Sequence, residues 1–197
     1  MITVSTYQAR ADEANRGYHH GDLRQALVAA GLKALKTTDI ADISLRRLAR
    51  EVGVSATAVY RHFPDKRALL AALASEGLDR LGRFQQAAVV AAGEGAFAES
   101  GRAYVRFALA HPALFRLIFT HCEGIDAEGH ESGIAAQMLQ ASAAQKAGGD
   151  PVATQRIAVQ AWALVHGLAM LMLDGQLPAD ETLIDRVIDG RTLFRTG

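Results

Sequence analysis

The chain has 197 residues, half of them hydrophobic, and 21 Lys+Arg stand against 21 Asp+Glu. That length supports one large domain or two small ones with a real core, and the composition excludes a disordered chain. The formal zero charge hides a split: residues 1–70 carry 11 Lys+Arg and 7 Asp+Glu, residues 71–197 carry 10 and 14, so a +4 front precedes a −4 rear.

Residues 1–17 read as a loose polar arm with no apolar signal segment. Tyr18-His19-His20-Gly21 follows, either a DNA-touching arm or a plain lead-in to the first helix. Asp22 is the expected cap of that helix, which carries Leu23, Leu27, Ala30, Ala34 and Leu35 on one face and runs to about Thr37. Thr38–Ile43 is a short turn. Ser44 caps LRRLAREV, whose inward residues are Leu45, Leu48, Ala49 and Val52, and Gly53 ends it. Ser55 caps ATAVYRHF, with Ala58, Val59 and Phe63 inward. Pro64 and Asp65 then open a long helix expected to run from Lys66 to about Phe84.

Ala87–Gly95 is small and weakly patterned. Helices are expected at Ala96–Ala110 and at Pro112–Thr120, the latter with Pro at its first position. Glu123–Glu131 reads as an acidic loop and Ser132–Lys146 as a helix ended by Gly148-Gly149. Asp150-Pro151 opens a long apolar helix to Leu173, closed by Asp174-Gly175. A last helix is expected over Asp180–Leu193. No alternating strand pattern occurs. The chain is all-α, with about nine helices. The uncharged run Ile157–Leu173 is 17 residues long and is interrupted by Gln160, His166 and Gly167. It is shorter than a membrane span and predicts a buried core helix, so no membrane is implied.

Ser44–Phe63 carries the chemistry of the front. Two short helices meet at Gly53, where a left-handed backbone makes a sharp turn. The second helix presents Ala56, Thr57, Tyr60, Arg61 and His62 outward, as a major-groove reader requires. Arg46, Arg47 and Arg50 lie on the first helix, and Arg61, Lys66 and Arg67 surround the end of the second. The helix N-termini at Ser44, Ser55 and Lys66 can offer N–H groups to phosphates. The alternative is a solvated helical hairpin with surface arginines.

SLRRLAREVGVSATAVYRHFPDKRALL, residues 44–70, strongly resembles the DNA-binding domain of TetR-family transcriptional regulators. GDLRQALVAAGLKAL extends the match back through the first helix. The resemblance implies a homodimer with two recognition helices in successive major grooves of a palindromic, double-stranded operator. By it, Ser44, Thr57, Tyr60, His62 and Lys66 map onto operator-contact positions. Arg46 and Arg61 join them on charge, and Ala56 stands where the family often carries a long polar side chain.

The implied organisation is an arm at 1–17, a three-helix helix-turn-helix domain at 18–64, a connecting helix at 65–84, and a ligand-binding and dimerisation domain at 85–197. In the last of these the candidate pocket residues are Tyr104, Phe107, Phe115, Phe119, Trp162, His166 and Met170. Trp162, His166 and Gly167 in WALVHGLAMLMLDGQL, with HPALFRLIF at 111–119, resemble a Trp-His-Gly class of TetR C-terminal domains. That resemblance implies dimerisation through the last two helices as a four-helix bundle.

His111, His121, His166 and Cys122 lack a metal-ligand spacing, so neither metal nor cofactor is expected. The lone cysteine fits a reducing, cytoplasmic setting. No G-x-S-x-G, H-E-x-x-H, G-x-G-x-x-G or phosphate-loop motif points to an enzyme. The expected function is a repressor released from its operator by a small, largely apolar effector. The alternatives are a constitutive DNA-binding regulator or an enzyme with a DNA-binding head.

Overall fold

A computed structural model describes residues 20–92, 95–120 and 133–189 of the protein. The arm at 1–17, His121, Cys122 and the acidic loop at 123–131 lie outside the described residues. Those residues hold nine α-helices and no strand: α1 (His20–Ala34), α2 (Leu45–Val52), α3 (Ala56–His62), α4 (Lys66–Ala92), α5 (Ala96–Ala110), α6 (Pro112–Thr120), α7 (Ile134–Lys146), α8 (Pro151–Leu173) and α9 (Glu181–Val187). A 3-10 turn, Ile40–Asp42, lies between α1 and α2.

The ends of these helices follow local chemistry. α1 begins two residues before the expected cap Asp22 and stops at Ala34 rather than Thr37. The Ala34 carbonyl accepts from the hydroxyls of Thr37 (3.4 Å) and Thr38 (2.8 Å) as well as from both backbone N–H groups, so the chain leaves the helix in a turn closed on that one carbonyl. At Gly53 the backbone is left-handed (φ 79°), and its N–H closes the last turn of α2. Asp150 and Asp180 cap α8 and α9 by accepting from Val152 N (3.0 Å) and Thr182 N (3.1 Å).

Two expected boundaries are corrected. α4 does not stop near Phe84 but continues to Ala92 through the weakly patterned stretch. α9 ends at Val187, well short of Leu193, where Ile188 turns out of the helix and is buried.

α1 packs on α2 and α4, and α2 on α3, which makes the front three-helix unit. α4 then packs against α5, α6 and α7, while α8 lies across α5 and α7. One continuous apolar cluster therefore runs from Leu23 through Leu73 to Ile188. α4 is shared by both ends, so a shift of the rear helices can reach the front through one rigid rod. The approach of α7 to α4 needs Gly82, because a Cβ there would stand 2.8 Å from Ile134 Cβ and 3.1 Å from the Ala135 backbone N.

α8 is also corrected. Its composition predicts burial on several sides. By length and composition it could cross a membrane, with a mean hydropathy of 1.5 in its most apolar window, yet only a third of that window is buried. Ile157, Ala161, Val165, Leu168 and Met172 form one inward stripe. Val152, Val159, Trp162 and Leu171 are exposed instead. α8 thus leaves large apolar side chains open to solvent on the half turned away from the core.

Candidate nucleic-acid interface and regulatory core

α3 is held from beneath. Val59 and Phe63 are essentially fully buried, and the Arg24 guanidinium lies 5.3 Å from the centre of the Phe63 ring. With 100° between successive helical residues, Thr57 and Arg61 lie opposite Val59, and Ala56 and Tyr60 form the adjoining line. All four are exposed, Tyr60 by 44%. His62 is partly buried.

On α2, Arg46, Arg47 and Arg50 are exposed, as is Ser44 before it. None of these arginines, nor Arg61, has an acidic partner among the described residues. By contrast, Lys33 pairs with Glu51 at 3.2 Å and ties α1 to the end of α2. Among the described residues, positive charge without an acidic partner is thus on the outward sides of α2 and α3, where it raises the local potential.

The three helix starts expected to offer N–H groups are not equivalent. The Ser44 hydroxyl makes no capping bond and is available to an outside partner. Ser55 Oγ accepts from Ala58 N (3.2 Å), and Asp65 Oδ1 accepts from Ala68 N (2.7 Å). At α4 the cap is a carboxylate, which occupies the donor and repels a phosphate. Lys66 Nζ donates to the Ala41 carbonyl at 2.5 Å and so pins the start of α4 to the 3-10 turn.

The rear aromatic residues fall into two groups. Tyr104, Phe115, Phe119, Trp162 and His166 come together. Tyr104 Oη and His166 Nδ1 are 2.9 Å apart. Phe115 and Phe119 have ring centres 5.0 Å apart, Phe119 and His166 4.8 Å, and Trp162 and His166 6.1 Å. Phe107 instead meets Phe84 (5.9 Å) and His111 (4.8 Å). Met170 lies one turn beyond His166, partly buried against the core.

Tyr104 and Phe115 are buried, whereas Trp162 is half-exposed at 47%. The cluster is therefore a packed aromatic wall with one edge open at Trp162. Burial pushes the Tyr104 phenol far above its ordinary value and holds the His166 imidazole below its own. Both groups are thus neutral near pH 7, so the polar centre of this wall is one uncharged hydrogen-bonded pair. A separate open depression of about 560 Å³ is lined by Arg102, Thr182, Asp185, Arg186 and Asp189. No residue of the aromatic wall lines it.

Two features were not legible in the sequence, the open face of α8 and the surroundings of His111. Val152, Val159 and Leu171 form the open face of α8. Their signal was an excess of apolar residues over what one inward stripe uses. His111 lies at the α5–α6 corner, held below its ordinary value by burial and by the charges of Lys36 and Arg80. Nothing local in the sequence links those three positions. Among the described residues no cluster of three His, Cys, Asp or Glu side chains could hold a metal.

A helix-turn-helix unit whose outward arginines have no acidic partner among the described residues, carried on a larger helical body, defines the class: a DNA-binding regulator. Residues 27–73 match the family model for bacterial regulatory proteins of the tetR family. Residues 97–190 match a tetracyclin repressor-like C-terminal domain. The chain belongs to the TetR family of transcription regulators.

Among solved structures, a protein of unknown function from Rhodococcus sp. RHA1 is 38% identical, with 88% of this chain and 93% of that one covered and a TM-score of 0.70. A TetR family transcription regulator from Marinobacter aquaeolei VT8 is 21% identical over 84% and 91% of the two chains, with a TM-score of 0.63. TetR from Acinetobacter baumannii AYE is 17% identical over 88% and 96%, with a TM-score of 0.60. The last two share the fold. No curated protein matches the chain.

Proposed function

We propose that the protein is a cytoplasmic, non-membrane, non-enzymatic repressor that binds a palindromic operator as a homodimer and is released by a small, largely apolar effector. The observation that carries this reading is the outward face of α3, which is anchored by Val59 and Phe63 and flanked by exposed arginines of α2.

In this reading Ala56 and Thr57 face the base edges of the major groove, while Tyr60, Arg61 and His62, later on the helix, meet its backbone rim. Ser44 and Arg46 hold phosphates, and Lys66 joins them only in so far as it can leave Ala41. The domain organisation follows the same lines, with residues 18–64 meeting DNA and residues 85–197 dimerising and sensing. The open apolar face of α8, together with α9, supports dimerisation through a four-helix bundle.

The effector site is proposed at the aromatic wall, with Phe119, Trp162, His166 and Met170 nearest its open edge and Tyr104, Phe107 and Phe115 behind. An effector acts only if it binds the DNA-free form more tightly. α4 is the element that both ends share, so it is the route by which the recognition helices change their separation.

The test is selection of bound fragments from source genomic DNA with the purified protein, followed by mobility shift. Enrichment of a palindrome upholds the reading. Binding of all fragments alike, or of none, removes it.

A further inference from the structure

Resting on the proposal that α3 enters the major groove, the side chains of that helix constrain how bases are read. The residues at the front of a recognition helix meet base edges, while later ones approach the backbone. In α3 the outward residues at the front are Ala56 and Thr57, both exposed. Ser55 has its hydroxyl turned back onto Ala58 N. Lys66, the nearest long cation beyond the helix, is held on the Ala41 carbonyl. Arg61 lies one turn after Thr57 on the same line, at the end of the helix away from its base-reading front.

The guanine O6/N7 pair and the adenine N6/N7 pair are met by long bidentate side chains such as Arg, Lys, Asn or Gln. The front of α3 has none. Its two outward side chains end in the Cβ methyl of Ala56 and the Cγ2 methyl and Oγ1 of Thr57. The major-groove feature that a methyl group meets favourably is the C5-methyl of thymine. We infer that α3 reads its operator through thymine methyl groups packed against Ala56 and Thr57, and not through bidentate hydrogen bonds to guanine.

The experiment uses the full-length protein and the best half-site selected from a random duplex library. Each thymine of the half-site is replaced by deoxyuridine, which removes only the methyl. Each guanine is replaced separately by 7-deazaguanine, which removes the N7 acceptor. The inference expects one or two deoxyuridine substitutions to weaken binding about fourfold each, the worth of one buried methyl-sized group. It expects each 7-deazaguanine to change binding less than twofold.

Thr57→Val keeps the methyl and drops the hydroxyl, so it should retain the deoxyuridine penalty. Ala56→Gly should lose that penalty at one position, with circular dichroism reporting that α-helical content is kept. Neutral deoxyuridine with costly 7-deazaguanine overturns the inference, as does a Thr57→Val protein that no longer distinguishes thymine from uracil. A library that enriches no motif fails the DNA-binding reading itself and is recognisable as that separate result.

Discussion

Lys66 Nζ and the Ala41 carbonyl are 2.5 Å apart, so a residue of the connecting helix is fastened to the turn between the first two helices. The bond fixes the angle at which α4 leaves the front unit. It also means that this cation already has a partner before DNA arrives. Lys66→Met keeps the aliphatic stem and removes the bond. We expect a loss of about 1 kcal/mol, seen as a melting temperature lower by about 2–4 °C, from a net hydrogen bond in a chain of this size. Arg46→Met should leave melting unchanged and reduce the salt slope of operator binding by about one. Thermal melts and titrations at two salt concentrations separate the two residues. A Lys66→Met protein that melts like its parent removes the pinning role.

Tyr60 is half-exposed on the outward side of α3, whereas its neighbour Val59 is fully buried. Tyr60→Ala should therefore weaken operator binding while melting within about 1 °C of the parent, as surface changes usually do. Equal affinity of the two proteins at low and high salt would take Tyr60 out of the interface.

His166 and His111 are both held below their ordinary value, chiefly by burial. The unfolded chain takes up protons at these positions near the ordinary value of about 6.5. The folded chain does so only at lower pH. Between those points the unfolded state binds more protons, so folding stability is full above about pH 6.5 and is lost as pH falls through the lowered values. His166→Asn and His111→Asn should each flatten the fall in melting temperature between pH 7.5 and pH 5. Parallel curves for parent and variants would contradict this.

Gly82 gives α7 its close approach to α4. Gly82→Ala adds up to about 1 kcal/mol of helix propensity but drives a Cβ against Ile134 and the Ala135 backbone. Backbone yields less readily than a side-chain tip, so overpacking of about 1–3 kcal/mol should outweigh the gain. Differential scanning calorimetry should show a lower melting temperature. A higher one would mean that α7 moves away without cost.

Val159 and Leu171 are exposed at 56% and 46% on the open face of α8. Placing charge there, as in the double variant Val159→Glu with Leu171→Glu, should leave the protomer folded and shift a dimer towards monomer at micromolar concentration. It should also weaken operator binding, because two half-sites are no longer held together. Analytical ultracentrifugation checks the first effect. An unchanged dimer places the interface elsewhere.

The sequence by itself determined those features whose physical cause is local. The end of α2 follows from Gly53, α5 and α6 are divided by His111-Pro112, and α8 opens at Asp150-Pro151. Caps, prolines and a left-handed glycine act within one turn, so they are legible without the fold. The outward order of residues on α3 is legible too, because a helix repeats every 3.6 residues around Val59.

Only the tertiary structure decided what depends on partners distant in the chain. Gln85, the last buried residue of α4, donates to Ser100 of α5, a contact 15 residues away that no pattern around Phe84 announces. Lys66 was legible as a cation, but its bond to Ala41, 25 residues away, was not. Tyr104 and His166 are 62 residues apart and meet only when α5 and α8 cross. α8 reads as apolar all round, and composition alone cannot say which stripe the core takes and which it leaves open. Burial is a property of the assembled neighbours, whereas helix formation is largely a property of the segment.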